Sequence, residues 1–554
     1  MPRILGINRT SDAAICLMEN GEVKVAIAKE RLTRNKHDWG KLGDIPMYIS
    51  HLPELQEPID MVVECYSSDE ERNNLDAYHQ ELREHLNLVP HAPIVEIPHH
   101  LSHTYSGFFP SGFDDAAVLV MDYQGSYRPL ISYEQNDGDS HDLEVMSYYA
   151  CKGETVTCVN KQYWNKGQQK LAGLGTFYTR FTTCVFPGMG REGIMMGLAA
   201  FGNAENVDLP ELTVNNGHVQ IPKEWTDQFD RMKAGNFFKN GEGTFMEVAD
   251  YAAAGQHAYE QALLKCCEWI KSHIDSENLI IVGGCGLNCA ANGFIQRNAL
   301  FSNVFIPPAP HDAGTALGCA VYGTVHLEKE SNSVFKWETD YLGPAYDIES
   351  WVAQVKNMPE LSVERPENIT QLLAEEIANG KIIGLFQQHS EFGPRALGNR
   401  SIIADPRFAF TQHFINSSIK HRQWFRPLSP IALEEAADEY FQMEALTPFM
   451  TFAVNVRSDK AQAIPAVTHV DGTARLQTVS PQQNEFIYEL ITAFKKITGI
   501  PVILNTSFNG QDEPIVEKPA EALSAFLKMP LNALVVPPYI IYKQNQAAKS
   551  AYHN

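Results

Sequence analysis

In "PHHLSHTYSGFFPSGFDDAAVLVMDYQGS", Pro98 to Ser126, three histidines fall within five residues and an aspartate closes an apolar run. His99 and His103 are four apart, so on a helix both imidazoles share one face and can hold one ion, while His100 points elsewhere. Asp122 ends "AAVLVMD", where a strand brings it to a sheet edge, and Asp312 in "PAPHDAGTALG" stands at another strand-to-helix junction. Two imidazoles with carboxylates suit Fe2+, Mn2+ or Zn2+, whereas Mg2+ more commonly takes oxygen ligands alone. Spacing by itself does not separate this reading from ordinary surface or core histidines, because H-x-x-x-H pairs are common.

A second grouping is cationic. "SEFGPRALGNRSIIADPR" sets Arg395, Arg400 and Arg407 among Gly-Pro and Ala-Leu-Gly, and "NSSIKHRQWFRPLSP" adds Lys420, Arg422 and Arg426. Read on a helix, Arg395 and Arg400 would lie about 140° apart and clasp a polyphosphate from two sides. A solvated basic face is the plainer alternative, but it needs no glycine or proline beside its arginines. "LNTSFNG" contributes Asn505, Ser507 and Asn509 after a buried strand, and Arg475 lies in "HVDGTARLQ". The set has the make-up of a nucleotide pocket, with Arg for phosphate forks and Asn or Ser for ribose, base or acyl oxygen. It is not a Walker loop. The glycine turns "GGCGLN" (Gly283, Gly284 to Asn288) and "DYQGS" permit close backbone approach to a phosphate or ribose, or serve only as tight turns.

The elements that must carry these residues are legible in outline. The opening reads as strand, polar loop, strand, Asn20-Gly21 hairpin turn and strand. The runs before "DYQGS" and "GGCGLN" predict strands buried on both faces, with function at their carboxyl ends. Residues 257–274 have helical spacing. A polar break over Glu328 to Asp347 marks a boundary, after which a helix over Ile369 to Asn379 and a strand in "KIIGLFQ" are expected. The last ten residues read as a frayed tail. A length of 554 residues implies two large domains. A net charge of -23 disfavours nucleic acid. The absence of a long apolar run or a signal sequence, with ten scattered cysteines and no C-x-x-C, predicts a cytoplasmic protein with reduced thiols and no membrane span.

Taken in order, "AKERLTRNKHD", "HHLSH" with "VMDYQGS", "REGIMMGLAAFG", "GGCGLNCAANG", "HDAGTALG", "EFGPRALGNRSIIADPR", "IKHRQWFRP" and "ILNTSFNG" resemble the ATP-dependent O-carbamoyltransferases of the NodU/CmcH/TobZ-like family, over almost the whole chain. The resemblance implies an α/β protein with a Kae1-like domain of the actin-like ATPase (ASKHA) superfamily over residues 1–345 and a YrdC-like α/β domain over 346–554. It implies that the second domain makes carbamoyl-adenylate from ATP, with Mg2+, and carbamoyl phosphate. The first would then pass the carbamoyl group to a hydroxyl of a small secondary metabolite.

By motif, Lys420, Arg422, Arg426, Arg395, Arg400, Arg475, Asn505 and Ser507 fall in the adenylating pocket. His99, His103, Asp122 and Asp312 fall on the metal and nucleotide positions of the transfer site, and Lys36 on a cation facing the adenylate. The sequence departs from the family at "TSDAA", where Ser11 replaces a histidine, and at Ile194, where lysine is expected. The general base is thereby left open between Asp12 and a metal-bound hydroxide. A homodimer is the base-rate expectation. Rival readings are a tRNA threonylcarbamoylation factor, a hydrogenase-maturation carbamoyltransferase, and a non-enzymatic actin-like nucleotide-binding protein. The acidity, the missing CxxC motifs and the second cationic grouping respectively tell against them.

Overall fold

The computed structural model describes residues 2–66, 74–127, 142–165, 171–235, 244–328 and 334–544. The expected tail and part of the expected boundary segment, residues 329–333, lie outside them. Contacts divide the chain into one unit of residues 1–33 and 37–337 and another of 34–36 and 338–554.

In the first unit β1 (Arg3–Asn8), β2 (Ala14–Glu19) and β3 (Glu22–Ala28) form an antiparallel meander, with Asn20 and Gly21 both at positive φ in its turn. Left-handed backbone at two successive positions is what a two-residue hairpin requires, which is why Asn-Gly occurs there. β4 (Met61–Tyr66) and β5 (Ile94–Pro98) add to β1 in parallel, giving the order β3-β2-β1-β4-β5. After the helix α1 (His99–Ser111) the pattern recurs. β6 (Asp115–Met121), β7 (Asp142–Lys152) and β8 (Thr155–Asn165) make a second meander, and β9 (Asn278–Val282) and β10 (Asn303–Phe305) extend β6 in parallel. The order β10-β9-β6-β7-β8 repeats that of the first sheet. Between β8 and β9 runs the long helix α2 (Phe245–His273), which starts in a Thr244/Glu247 capping box.

α3 (Ala313–Glu328) packs on β1, β2 and β4, α1 packs on β6 and β9, and the two helices pack on each other. Their approach is close because Gly318 faces the Ser102 carbonyl, and a Cβ there would fall 1.8 Å from that oxygen. The cores on either side of the first sheet are aliphatic: Leu5, Ile7, Leu17 and Val62 on one face, Ile4, Val63 and Ile97 on the other. Strands covered on both faces carry such continuous apolar runs.

The second unit is built on an eight-stranded mixed sheet. Its strands are β11 (Leu361–Glu364), β12 (Ile383–Phe386), β13 (Arg400–Ala404), β14 (Ser429–Leu433), β15 (Gln477–Val479), β16 (Val502–Ser507), β17 (Ala533–Val536) and β18 (Tyr539–Lys543), in the order β11-β18-β17-β12-β13-β16-β14-β15. Helices α4 (Ile369–Ala378) and α5 (Glu485–Thr498) pack together, each started by an Asn side-chain cap, Asn368 and Asn484. Among the described residues no helix is long and apolar enough to cross a membrane.

Candidate metal centre and anion pocket

α1 begins at His99, so His99 and His103 sit one turn apart. Its first N–H groups, which have no partner within the helix, are met by side chains: the His99 N–H donates to Ser126 Oγ at 2.9 Å and the His100 N–H to Glu144 Oε1 at 2.9 Å. Ser126 in turn donates to the Tyr66 carbonyl at 2.9 Å. Glu144 is wholly buried yet paired with Lys161 at 2.5 Å. Burial opposes its charge, but His100, Lys161 and the backbone donors outweigh that and hold it down at about 2. His100 turns away from the cluster onto Ser147 Oγ at 2.7 Å, and burial pushes it down to about 3.

The other two histidines converge with Asp122, just past the end of β6, and Asp312, just before α3. His99 Nε2 and His103 Nε2 are 3.1 Å apart, and both approach Asp122 Oδ2, at 3.4 and 3.1 Å. Asp312 Oδ1 lies 3.4 and 3.7 Å from the same two nitrogens. Metal–ligand bonds near 2.1 Å put neighbouring donors roughly 3.0 to 3.4 Å apart in octahedral or tetrahedral geometry, so these donors fit one ion's shell. Two neutral imidazoles and two carboxylates also neutralise a divalent cation, which matters in a buried site. Without the ion, burial disfavours protonation of His99 and His103, but the carboxylates prevail and raise both, His99 far above the usual imidazole range. The same pairing lowers Asp122 and Asp312 against the cost of burial. The site is a set of opposite charges that satisfy one another.

Several supports carry little sequence signal. The Cys65 thiol interacts with His99. Asn8, at the end of β1, donates to the carbonyls of Ser11 at 3.0 Å, Asp12 at 3.2 Å and Asp312 at 3.0 Å, tying the first loop to the cluster. The Ser11 hydroxyl donates to Asp312 Oδ2. Arg9 anchors the loop from behind through Glu64 at 2.9 Å and Glu81 at 3.1 Å. Asp12 meets His37 Nδ1 at 2.8 Å. The GGCGLN turn passes beside the cluster: Gly283 has a φ of +90° against the Met121 carbonyl, and a Cβ on Gly284 would lie 3.2 Å from Asp122 Oδ1. Asn288 is spent on capping the helix Cys289–Arg297 and on Gln256. Ile194 is buried in the helix Glu192–Ala199.

In the second unit Lys420 follows a π-helical turn, residues 415–419, and its ammonium is buried. It donates to the Ser507 carbonyl, to Ser507 Oγ at 3.2 Å, and to Asn509 O and Oδ1 at 3.1 and 2.6 Å. Burial, and then the charges of Arg422, Lys36 and Arg426, hold it well below the usual lysine range. Burial, Arg426 and Arg475 likewise lower Arg422. Arg422 Nε is oriented by Asn416 Oδ1 at 2.8 Å and Arg475 Nε by Ser429 Oγ at 3.1 Å. Like charges drawn together in this way have the chemistry to suit a polyanion.

Five predicted positions complete the comparison with the expectation. The 388–399 segment is not helical, so Arg395 and Arg400 form no helical clasp. Arg400 opens β13, fully buried, with its guanidinium 3.6 Å above the Phe386 ring and donating to the carbonyls of Gln387, Gln388 and Glu517. It knits the loop together and is no phosphate fork. Arg395, in contrast, is half-buried on a loop whose N–H groups at Leu397, Asn399 and Arg400 gather on Glu391 Oε1. Asn505 is also buried, donating to the Ala396 carbonyl at 2.8 Å, and so supports that loop from β16. Arg407 pairs with Asp405 at 2.6 Å and leaves the cationic group altogether. Lys36 is exposed and belongs to the second unit.

The duplicated sheet, with an acid–imidazole cluster at its strand ends, defines the first unit as an α/β domain of actin-like fold. The twofold strand order carries that assignment. Family models then fix the particular kin: residues 78–321 match the carbamoyltransferase N-terminus and residues 374–543 the carbamoyltransferase C-terminus. Nodulation protein NolNO of Sinorhizobium fredii is 32% identical over 96% of this chain and 79% of its own. Nodulation protein NolO of Bradyrhizobium diazoefficiens is 34% identical over 80% of this chain and 79% of its own. A solved structure of full-length HypF in a phosphate- and nucleotide-bound form has a TM-score of 0.38 and 14% identity, covering 59% of this chain and 47% of that one. The chain belongs to the carbamoyltransferase family and is a transferase.

Proposed function

We propose that the protein is an O-carbamoyltransferase working in two steps. The second unit, read as YrdC-like, hydrolyses carbamoyl phosphate with one water to carbamate and phosphate, and the carbamate oxygen then bonds to the α-phosphate of ATP, giving carbamoyl-adenylate as the bond to pyrophosphate breaks. The first, read as Kae1-like, passes the carbamoyl group to a hydroxyl of a small acceptor, a sugar, polyketide or guanidinium alkaloid, and AMP leaves. The observation that carries this reading is the buried cationic group around Lys420. Attack of a carbamate oxygen on the α-phosphate builds charge on the phosphate oxygens, and preformed cations that need no reorganisation stabilise it.

Lys420 and Arg422 are assigned to the phosphates, with Arg426, Arg475 and Arg395 around them, and Ser507 and Asn509 orient the ammonium. In the first unit His99, His103, Asp122 and Asp312 would hold Fe2+, Mn2+ or Zn2+, which when bound polarises an oxygen of the reacting group. Asn8 holds the Asp312 backbone carbonyl and Ser11 its carboxylate, and Ser126 and Glu144 fix the helix that aims the imidazoles. Mg2+ is assigned to ATP. All ten cysteines are free, which supports a reducing, cytoplasmic setting. A homodimer remains the expectation for oligomeric state. The test is exchange of labelled pyrophosphate into ATP: the proposal predicts exchange that depends on carbamoyl phosphate, and exchange indifferent to it would overturn the adenylation step.

A further inference from the structure

Arg34 stands at a φ of +62°, and residues 34–36 belong to the second unit although the chain before and after them belongs to the first. Left-handed backbone costs energy in a residue other than glycine, and contacts must hold it there. Those contacts are specific. One terminal nitrogen of the Arg34 guanidinium donates to the Ile515 carbonyl at 2.7 Å, and the other donates to the Pro514 carbonyl at 2.7 Å. Glu521 Oε2 lies 3.3 Å from the first of these nitrogens. That carboxylate is itself fixed, since it accepts the N–H groups of Glu517 at 2.8 Å and Lys518 at 3.3 Å ahead of the helix Pro519–Lys528. Two successive carbonyls and a carboxylate suit a planar fork better than a point charge.

Pro514 and Ile515 lie on the loop that follows β16, and the start of the same loop holds Lys420. Ser507 and Asn509 accept from the Lys420 ammonium, and Asn509 Nδ2 donates to the Glu513 carbonyl at 2.7 Å. The Val516 N–H closes the loop on the Phe508 carbonyl at 2.9 Å. One short loop therefore carries the partners of Lys420 and those of Arg34. Two residues past Arg34 comes Lys36, whose charge reaches the same ammonium. Burial lowers Lys420 most, followed by Arg422, Lys36 and Arg426 in that order. Lys36 thus bears on Lys420 more than Arg426 does, although it comes from a distant part of the chain.

We infer that Arg34 is a positioning residue of the anion pocket, clamping residues 34–36 onto the loop 507–516 so that the Lys36 ammonium joins the cations that hold the phosphates. This rests on the adenylation reading proposed above, and it gives Arg34 no contact with ATP. A lysine on an exposed segment loses backbone and side-chain freedom when it holds an anion, and a segment fixed beforehand removes part of that cost. The bonds of Arg34 are all made to the protein, so its effect on an anion passes through Lys36.

The experiment is calorimetric titration of inorganic pyrophosphate, with Mg2+, into the full-length wild type, Arg34→Ala, Lys36→Ala and the double variant. Lys36→Ala is expected to raise the dissociation constant about tenfold, the scale of one charge-assisted contact. Arg34→Ala is expected to raise it about five- to tenfold. The double variant is expected to bind no more than about twofold more weakly than Lys36→Ala, because two residues that act on one contact are not additive. Where Arg34→Ala does not fold, Arg34→Lys takes its place, with a loss of about threefold that again vanishes without Lys36.

Wild-type affinity in Arg34→Ala overturns the inference. So does a loss in the double variant equal to the product of the two single losses, which would make Arg34 a support of the loop alone. A wild type that does not bind pyrophosphate overturns the inference and the adenylation reading together. Binding without exchange that depends on carbamoyl phosphate overturns the adenylation reading, while the four affinities still decide the placing of Lys36.

Discussion

The two charged clusters of this molecule are built on opposite principles. In the first unit His99, His103, Asp122 and Asp312 pair opposite signs within 3.1 to 3.7 Å, and the imidazoles and carboxylates shift one another toward the charged form. In the second, Lys420, Arg422, Arg426 and Arg475 face like charges, and Lys420 and Arg422 are pushed toward neutrality. The first arrangement holds itself together when protons fill it, so a metal must displace those protons. On the function proposed above, an anion bound at the second would relieve the penalty that burial and like charge place on Lys420 and Arg422. On that reading the first cluster would compete with protons for a cation, and the second would be neutralised by an anion.

The largest expected effect follows from that contrast. Lys420→Ala should lower carbamoyl-phosphate-dependent exchange by about 1,000-fold, measured as label entering ATP, because one preformed cation contributes on the scale of an oxyanion donor. Yet the folded protein should not lose stability by the usual measure of a deleted buried charge, since its neighbours repel it. A chemical melt of Lys420→Ala that falls by several kcal/mol would break the comparison.

His103→Ala should lower Mn2+ affinity more than about 100-fold, read by metal analysis after dialysis, since even outer-shell losses cost 10- to 100-fold. Pyrophosphate should sharpen the comparison from the ligand side. At 100 times its dissociation constant it should add about 2.7 kcal/mol to wild-type stability. In Arg426→Ala that gain should shrink, while in His103→Ala it should persist.

The smallest effect is a pH slope beneath the helix that carries His99 and His103. His100 is held at about 3 when folded, against about 6.5 when unfolded. Its stabilising contribution is therefore full above pH 6.5 and is lost as the pH falls toward 3. Glu144, held near 2, acts in the same direction, contributing above about 4.3 and failing below. Between pH 6.5 and 4 the wild type should lose about 2 to 3 kcal/mol that His100→Gln does not lose, measured by urea midpoints at both pH values.

What the sequence discloses about these sites divides along physical lines. The i, i+4 histidines, the Asn-Gly turn and the strand-end Asp122 rest on local periodicity, and each appears where that periodicity puts it. The sheet duplication was not legible, because strand order depends on pairings far apart in the chain. Arg400 read as a phosphate ligand because its type and glycine neighbours suit one, but the β12–β13 pairing turns it inward onto carbonyls. Glu144 carried a weak signal as a lone charge in the apolar run "LEVMSYYA", whose meaning came only with Lys161 on the next strand. His37 was hidden in "NKHD", since its tie to Asp12 spans 25 residues.

The most direct test of the account is pyrophosphate–ATP exchange by the purified full-length protein, run with and without carbamoyl phosphate. The account predicts label in ATP only when carbamoyl phosphate is present, and almost none in Lys420→Ala. Exchange of equal rate without carbamoyl phosphate, or undiminished in Lys420→Ala, would contradict it.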